Sequence, residues 1–206
     1  MKRTICNVIC VQLLAGFTYA QDINFDSIAG TYNAIPSGYA GMNWNNLIEL
    51  NAQNYSFNPS GYLNGNTSSP NVAFNAYGSP ASFYSVGLTP FALTSAEFTA
   101  AWFNNLNLEV EGYLGGHLVY DQNFTLQETA PQDLQFGSVM VDTVNFFTSG
   151  GTPAPGVIGS GTQFALDDLI VNGSSVNGAP VPDAGATALL LGLSAGAIGL
   201  IRRKLS

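Results

Sequence analysis

The chain has 206 residues, of which 46% are hydrophobic and only 9% charged, with five Lys and Arg against thirteen Asp and Glu. Lys2, Arg3, Arg202, Arg203 and Lys204 are the only basic residues, so residues 21–180 carry twelve acids, no Lys or Arg, and a formal charge of −12. A body with no such cation of its own cannot neutralise a phosphate backbone, which excludes nucleic-acid binding, phosphate cradles and anionic-lipid patches.

The N-terminus begins with Lys2 and Arg3, continues as an apolar run from Ile5 to Phe17, and reaches Thr18-Tyr19-Ala20 just before polar Gln21-Asp22. This pattern predicts a secretory signal peptide over residues 1–20, cleaved after Ala20. Both cysteines, Cys6 and Cys10, fall inside it. The mature chain then has no thiol, disulfide or thiolate metal ligand, and must be held by packing or by a hard metal ion.

Residues 21–171 predict a single all-β domain, an antiparallel β-sandwich of the jelly-roll kind. The chain shows short β-prone runs between turn residues and no long stretch with apolar residues at helical spacing. Strands are expected at 23–25, 44–50, 72–74, 82–86, 91–102, 106–113, 117–126, 139–148 and 163–171. Ala and Glu within 91–102 would also suit a helix. Gly/Asn/Pro clusters such as Asn58-Pro59-Ser60-Gly61, Asn64-Gly65-Asn66 and Ser149-Gly150-Gly151 link the runs. Alternation is clearest where Leu106, Leu108, Val110 and Gly112 share one face and Asn107, Glu109, Glu111 and Tyr113 share the other. Gly115-Gly116 then predicts a hairpin into the next strand. Residues 172–180 read as a flexible tether.

The C-terminal segment 181–206 opens with Val181-Pro182-Asp183, continues with eighteen uncharged residues over 184–201, and closes on Arg202-Arg203-Lys204-Leu205-Ser206. Eighteen residues at about 1.5 Å each span about 27 Å, enough for a transmembrane helix, and the basic cluster orients the tail inward and the body outward. Acidic Pro motif, apolar helix and Arg cluster in this order resemble the PEP-CTERM sorting signals read by exosortases, with Val181-Pro182-Asp183-Ala184-Gly185 closest to the VPDSG variant and departing from it at Ala184. The resemblance implies an exosortase-like processing partner, an inner-membrane-anchored precursor, and delivery to the cell surface or extracellular space.

Within the body, Phe25-Asp26-Ser27-Ile28, Ile35-Pro36-Ser37-Gly38-Tyr39-Ala40-Gly41 with Trp44-Asn45-Asn46, Ala101-Trp102-Phe103-Asn104-Asn105-Leu106, Gly112-Tyr113 and Phe164-Ala165-Leu166-Asp167-Asp168-Leu169 resemble a group of secreted bacterial and fungal proteins without an assigned activity. The first and last of these motifs also resemble the terminal strands of jelly-roll carbohydrate-binding modules, in which an acid near the N-terminus and an Asp of the final strand hold a structural calcium.

Alternation sends Asp167 and Asp168 to opposite faces of an apolar strand, so at least one turns toward protein. A buried carboxylate needs a partner, and no Lys or Arg is present to supply one. Backbone N–H groups, a raised pKa or a bound cation remain. Calcium takes six to eight oxygen ligands at about 2.3–2.6 Å and suits the case, with Asp26, Asp167 and Asp168 as candidate ligands; the resemblance favours Asp167 as the direct one. The alternative is a pair of acids at a solvated sheet rim.

Catalytic chemistry has few resources here. His117, the one histidine, follows Gly115-Gly116 in a turn, where a triad or zinc site is not expected. Glu109 and Glu111, about 7 Å apart by strand rise, are the remaining carboxylate pair, and would serve a polysaccharide-processing enzyme if they faced a cleft. The favoured expectation is non-enzymatic: a calcium-stabilised surface or matrix module that binds extracellular polysaccharide or contributes structurally. Aromatic faces for sugar rings are expected at Tyr39, Trp44 and Tyr62, with Tyr39 and Tyr62 exposed beside glycines and Trp102 packed inside.

Overall fold

The computed structural model describes residues 19–173; the expected signal peptide through residue 18 and everything from 174 on, including most of the tether, the sorting motif and the 184–201 helix, lie outside the described residues. In chain order the strands are β1 (Tyr19–Ile23), β2 (Asn33–Ala34), β3 (Met42–Asn45), β4 (Leu47–Asn51), β5 (Asn71–Asn75), β6 (Ala81–Ser85), β7 (Phe91–Ala100), β8 (Phe103–Leu114), β9 (His117–Leu126), β10 (Gln132–Gln135), β11 (Met140–Val141), β12 (Thr143–Pro153) and β13 (Phe164–Gly173), with one short α-helix, α1 (Gly61–Asn64), and three 3-10 turns at Tyr39–Gly41, Ala76–Gly78 and Val86–Leu88. No described helix is long and apolar enough to cross a membrane.

The strands form two antiparallel sheets, as the sequence predicts for a sandwich. The larger runs β10-β7-β13-β5-β4-β2, with β1 also on β13 and β11 also on β7; the smaller runs β3-β6-β12-β8-β9. The first and last strands are therefore neighbours. Ala20 lies within β1 opposite Asn172, and a cut after Ala20 would leave Gln21, Asp22 and Ile23 paired to β13.

The main core lies between the sheets. Leu106, Leu108, Val110, Val144 and Phe146 of the smaller sheet meet Leu93, Phe98, Phe164, Leu166 and Leu169 of the larger one, all buried. Rings bridge the layers, with Phe98 and Phe146 at 5.5 Å and Phe146 and Phe164 at 5.6 Å between centroids. Burying each such side chain contributes about 1.5–3 kcal/mol, which lets the domain dispense with disulfides. The alternation along β8 is as expected, with Glu109 and Glu111 on the outer face of the smaller sheet. The Leu114–His117 hairpin also forms, and both Gly115 (φ 57°) and Gly116 (φ 80°) take the left-handed backbone that its two-residue turn requires. His117 is exposed at its end.

Four strand expectations change, and the first is 139–148, which divides at Asp142 into β11 on the larger sheet and the start of β12 on the smaller. The run 44–50 is two strands of different sheets, because Asn46 takes φ 55° and its Nδ2 donates to the carbonyls of Ala76, Ser79 and Pro80 at 3.0–3.3 Å. That side chain substitutes for the ladder where the chain crosses between layers. The run 23–25 lies earlier, as β1, and Phe25 leaves the strand with φ 62°. Ser149-Gly150-Gly151, read as a linker, instead continues β12 alongside β8.

Candidate functional site

Strand alternation gives the larger sheet a second, outward apolar face. Ile48 and Leu50 of β4, Val72 and Phe74 of β5 and Ala165 of β13 point away from the main core, and residues 52–70 fold over them. Ala52, Tyr62, Ala101 and Trp102 complete this second cluster, and the Gly61 N–H donates to Ala101 O at 2.8 Å.

Asp167 clamps the end of this cover. Its Oδ2 accepts the Thr67 N–H (2.8 Å), the Thr67 hydroxyl (3.1 Å) and the Ser68 N–H (3.0 Å), while Oδ1 accepts the Ser68 hydroxyl (3.0 Å) and the Asp168 N–H (3.0 Å). The side chain is fully buried. Burial raises its pKa to about 6 and Asp168 adds repulsion, against the lowering effect of the Ser68 and Thr67 donors. Beside it, Asp133, Glu97 and Asp167 stand directly abreast on β10, β7 and β13. Glu97 is pushed upward by burial first, then by Asp133, Asp168 and Asp167.

The cover and the sheet also form a cleft of ≈ 330 Å³ lined by aromatic rings. Trp102, 4% exposed, packs edge-on to Tyr62 at 5.4 Å; Tyr55 meets Tyr62 at 5.4 Å and Phe57 at 5.5 Å; Tyr32 meets Phe74 at 5.6 Å. The Tyr32 hydroxyl donates to that of Tyr55 at 3.2 Å. Burial, and then this bond, hold the Tyr55 phenol well above its usual range, and burial does the same for Tyr62, so both rings stay neutral. Gly159 rests on the face of Trp102, where a Cβ would come within 2.6 Å of the indole; only glycine fits there.

The outer lip is built of exposed rings: Tyr77 is 91% exposed, Tyr32 52% and Phe57 50%. Two of them sit on left-handed backbone, Tyr32 at φ 66° and Tyr77 at φ 59°. A non-glycine residue there costs roughly 1–2 kcal/mol, and Tyr77 recovers little of this by burial. Gln163 also lines the cleft, and its Oε1 is buried without a hydrogen-bond partner.

The residues expected from sequence are dispersed. Among the described residues no group of three or more His, Cys, Asp or Glu is placed to hold a metal ion. Asp26 Oδ1 accepts the Asn71 N–H at 3.0 Å, and Asp168 Oδ2, at 2.8 Å, shares the one Thr67 hydroxyl proton with Asp167 Oδ2. Tyr39 and Trp44 lie away from the cleft against the main core. Trp44 stacks on Phe83 at 5.2 Å, meets Phe25 edge-on at 5.4 Å, and donates its Nε1–H to Tyr39 O at 3.1 Å. Tyr62 corrects the expectation of exposure: α1 turns it down onto the sheet, leaving it 2% exposed in the cleft wall. Trp102 is packed, as expected. Glu109 and Glu111 stand on the opposite side of the sandwich, and the Tyr113 hydroxyl donates to Glu111 Oε2 at 2.8 Å. Sequence reasoning missed Tyr32, Tyr55 and Phe57; Tyr77 is among the aromatics the sequence offers for sugar rings, without a motif to single it out.

Residues 180–205 match the VPDSG-CTERM motif. The motif marks a secreted surface protein processed by an exosortase-like enzyme. No curated protein matches the chain. Among solved structures the chain is similar to a DUF4465 family protein from Bacteroides caccae ATCC 43185 (13% identity, 80% of this chain and 96% of that one, TM-score 0.45). It is also similar to a DUF4465 family protein from Bacteroides ovatus ATCC 8483 (8%, 75% and 88%, 0.48) and to TmCBM61 in complex with β-1,4-galactotriose (12%, 69% and 98%, 0.31).

Proposed function

We propose that the β-sandwich is a non-enzymatic module that holds a neutral polysaccharide in the aromatic cleft of its larger sheet. Before processing, the chain is anchored in the inner membrane through 184–201; after it, the module is displayed at the surface or released. The observation that carries the reading is the pair of exposed tyrosines, Tyr32 and Tyr77, held on left-handed backbone at the lip of a ring-lined cleft. Strain of this kind persists where a fold gains something other than stability from it. Flat neutral rings with a few polar groups suit the faces of sugar rings. Neutrality of the ligand follows from charge: the described residues contain twelve acids and no Lys or Arg, so a carboxylated or sulfated chain would be repelled.

Affinity electrophoresis of the full chain in detergent, through gels containing neutral or carboxylated polysaccharides, tests this. Retardation by a neutral polysaccharide that Tyr32→Ala and Tyr77→Ala each weaken about tenfold supports the cleft. Mobility unchanged by every neutral polysaccharide, or equal retardation of parent and both variants, removes it.

A further inference from the structure

Glu49 is the most anomalous group in the domain. It sits on β4 at zero exposure, and neither carboxylate oxygen has a hydrogen-bond partner of good geometry; the backbone N–H of Asn33, opposite on β2, offsets its burial only in part. The pairing of β4 with β5 fixes its surroundings: Glu49 is opposite Ala73 and Asn51 opposite Asn71, so Glu49, Ala73 and Asn71 share the face that Leu47 and Ala73 turn to the main core. Glu49 and Asn71 are diagonal neighbours on this face, roughly 7–8 Å apart between Cα atoms and within reach of a glutamate side chain.

Asn71 is built as tightly and is equally incomplete. It is 2% exposed; its Nδ2 donates to Phe25 O (3.1 Å) and Ile28 O (3.0 Å), its N–H donates to Asp26 Oδ1, and its Oδ1 is buried without a partner. The amide is therefore fixed by its nitrogen end, with its oxygen held free of the 24–28 turn. Three buried acceptors, Glu49 Oε1 and Oε2 and Asn71 Oδ1, stand on one face, and the Asn33 N–H is the one donor that reaches toward them. Leaving a carboxylate so is among the costliest arrangements in a protein, and no Lys or Arg exists in the body to answer it. Oxygen-only acceptors, one of them a carboxylate able to bind through both oxygens, are the donor set of a hard divalent cation.

We propose that Glu49 and Asn71 ligate a hard divalent cation of the calcium type through Glu49 Oε1 and Oε2 and Asn71 Oδ1, with water completing the shell. The ion ties β4 to β5, and the Nδ2 of Asn71 carries that tie on to the turn after β1. The site is distinct from Asp167, both of whose oxygens are engaged by the Thr67-Ser68 cover, and from Asp168, whose Oδ2 accepts the Thr67 hydroxyl; it does not depend on polysaccharide binding.

Thermal unfolding of the full chain in detergent, in EDTA, in millimolar calcium chloride and in millimolar magnesium chloride, reads the site. The parent should gain about 5 °C or more in calcium over magnesium. Glu49→Gln should lose that gain while melting in EDTA no lower than the parent, since it removes a buried charge without changing shape. Asp167→Asn should keep the calcium gain. An equal response of the parent to both ions, which is screening of a −12 body, overturns the proposal. So does a calcium gain retained by Glu49→Gln, or one lost in Asp167→Asn.

Discussion

Asp167 and Thr67, one hundred residues apart, are joined twice, the Oδ2 of the aspartate accepting both the backbone N–H and the hydroxyl of the threonine. This contact, repeated at Ser68, fastens the end of the 52–70 cover to the larger sheet. Asp167→Asn sets an amide donor against donors that the carboxylate now accepts. The expected loss is about 2–3 kcal/mol at pH 7.5, seen as a lower Tm, with faster proteolytic cleavage inside 52–70 under native conditions. A variant as stable and as resistant as the parent would show that the clamp contributes nothing.

Stability should rise as the pH falls from 8 to 5. Burial raises the carboxyl of Asp167 from 3.8 to about 6, and is the first cause of the upward shifts at Asp22, Glu49, Glu97 and Glu128. Each group binds its proton more tightly folded than unfolded, so the penalty for ionisation is fully present above the folded pKa and is relieved as the pH drops through it. For Asp167 the relief starts near pH 6, ends below about 4, and amounts to about 3 kcal/mol at most. Melting in EDTA should give a higher Tm at pH 5 than at pH 8; a flat or falling profile contradicts the assignment.

Tyr77→Gly separates stability from binding. Glycine takes φ 59° without strain, and the ring it removes is almost wholly in solvent, so the variant should be more stable by up to roughly 1 kcal/mol. It should also bind neutral polysaccharide about tenfold more weakly. A loss of stability, measured by denaturant titration, would mean that the ring has packing partners, and unchanged binding would remove Tyr77 from the lip.

The three carboxylates abreast at Asp133, Glu97 and Asp167 repel one another across the ladder. Glu97→Gln should stabilise by about 0.5–1 kcal/mol in low salt, with the gain shrinking at high ionic strength. A Tm that falls, or a gain insensitive to salt, would show that Glu97 is held by something other than its neighbours' charge.

Much of the fold was legible because its causes are local. The two-residue period of Leu106, Leu108 and Val110 and the left-handed demand met by Gly115-Gly116 are written in adjacent residues. Asn46 was not legible in this way: nothing in an apolar run announces that one side chain will cap the 76–80 turn and divide the run between two sheets. The two-residue strands β2 and β11 are too short to show alternation. The lack of a basic partner for Asp167 was readable from composition, whereas its actual donors come from a Gly/Asn/Ser-rich stretch that reads as a linker. The cleft was hidden for the same reason. Its rings come from Tyr32, the 55–62 stretch, Phe74, Tyr77 and Trp102, and only the folding of the cover onto β4, β5 and β13 brings them together. Tyr62 was misplaced because a neighbouring glycine suggested a turn, where α1 instead buries it.

Hydroxyl-radical footprinting of the full chain in detergent, with and without a neutral polysaccharide that retards it, locates the bound ligand most directly. Protection of Tyr32, Phe57 and Tyr77, with Tyr84 and Tyr113 on the outer face of the smaller sheet oxidised as before, is the expected result. Protection of Tyr84 and Tyr113 while the cleft tyrosines stay reactive would place the ligand on the other sheet and contradict the assignment of the cleft.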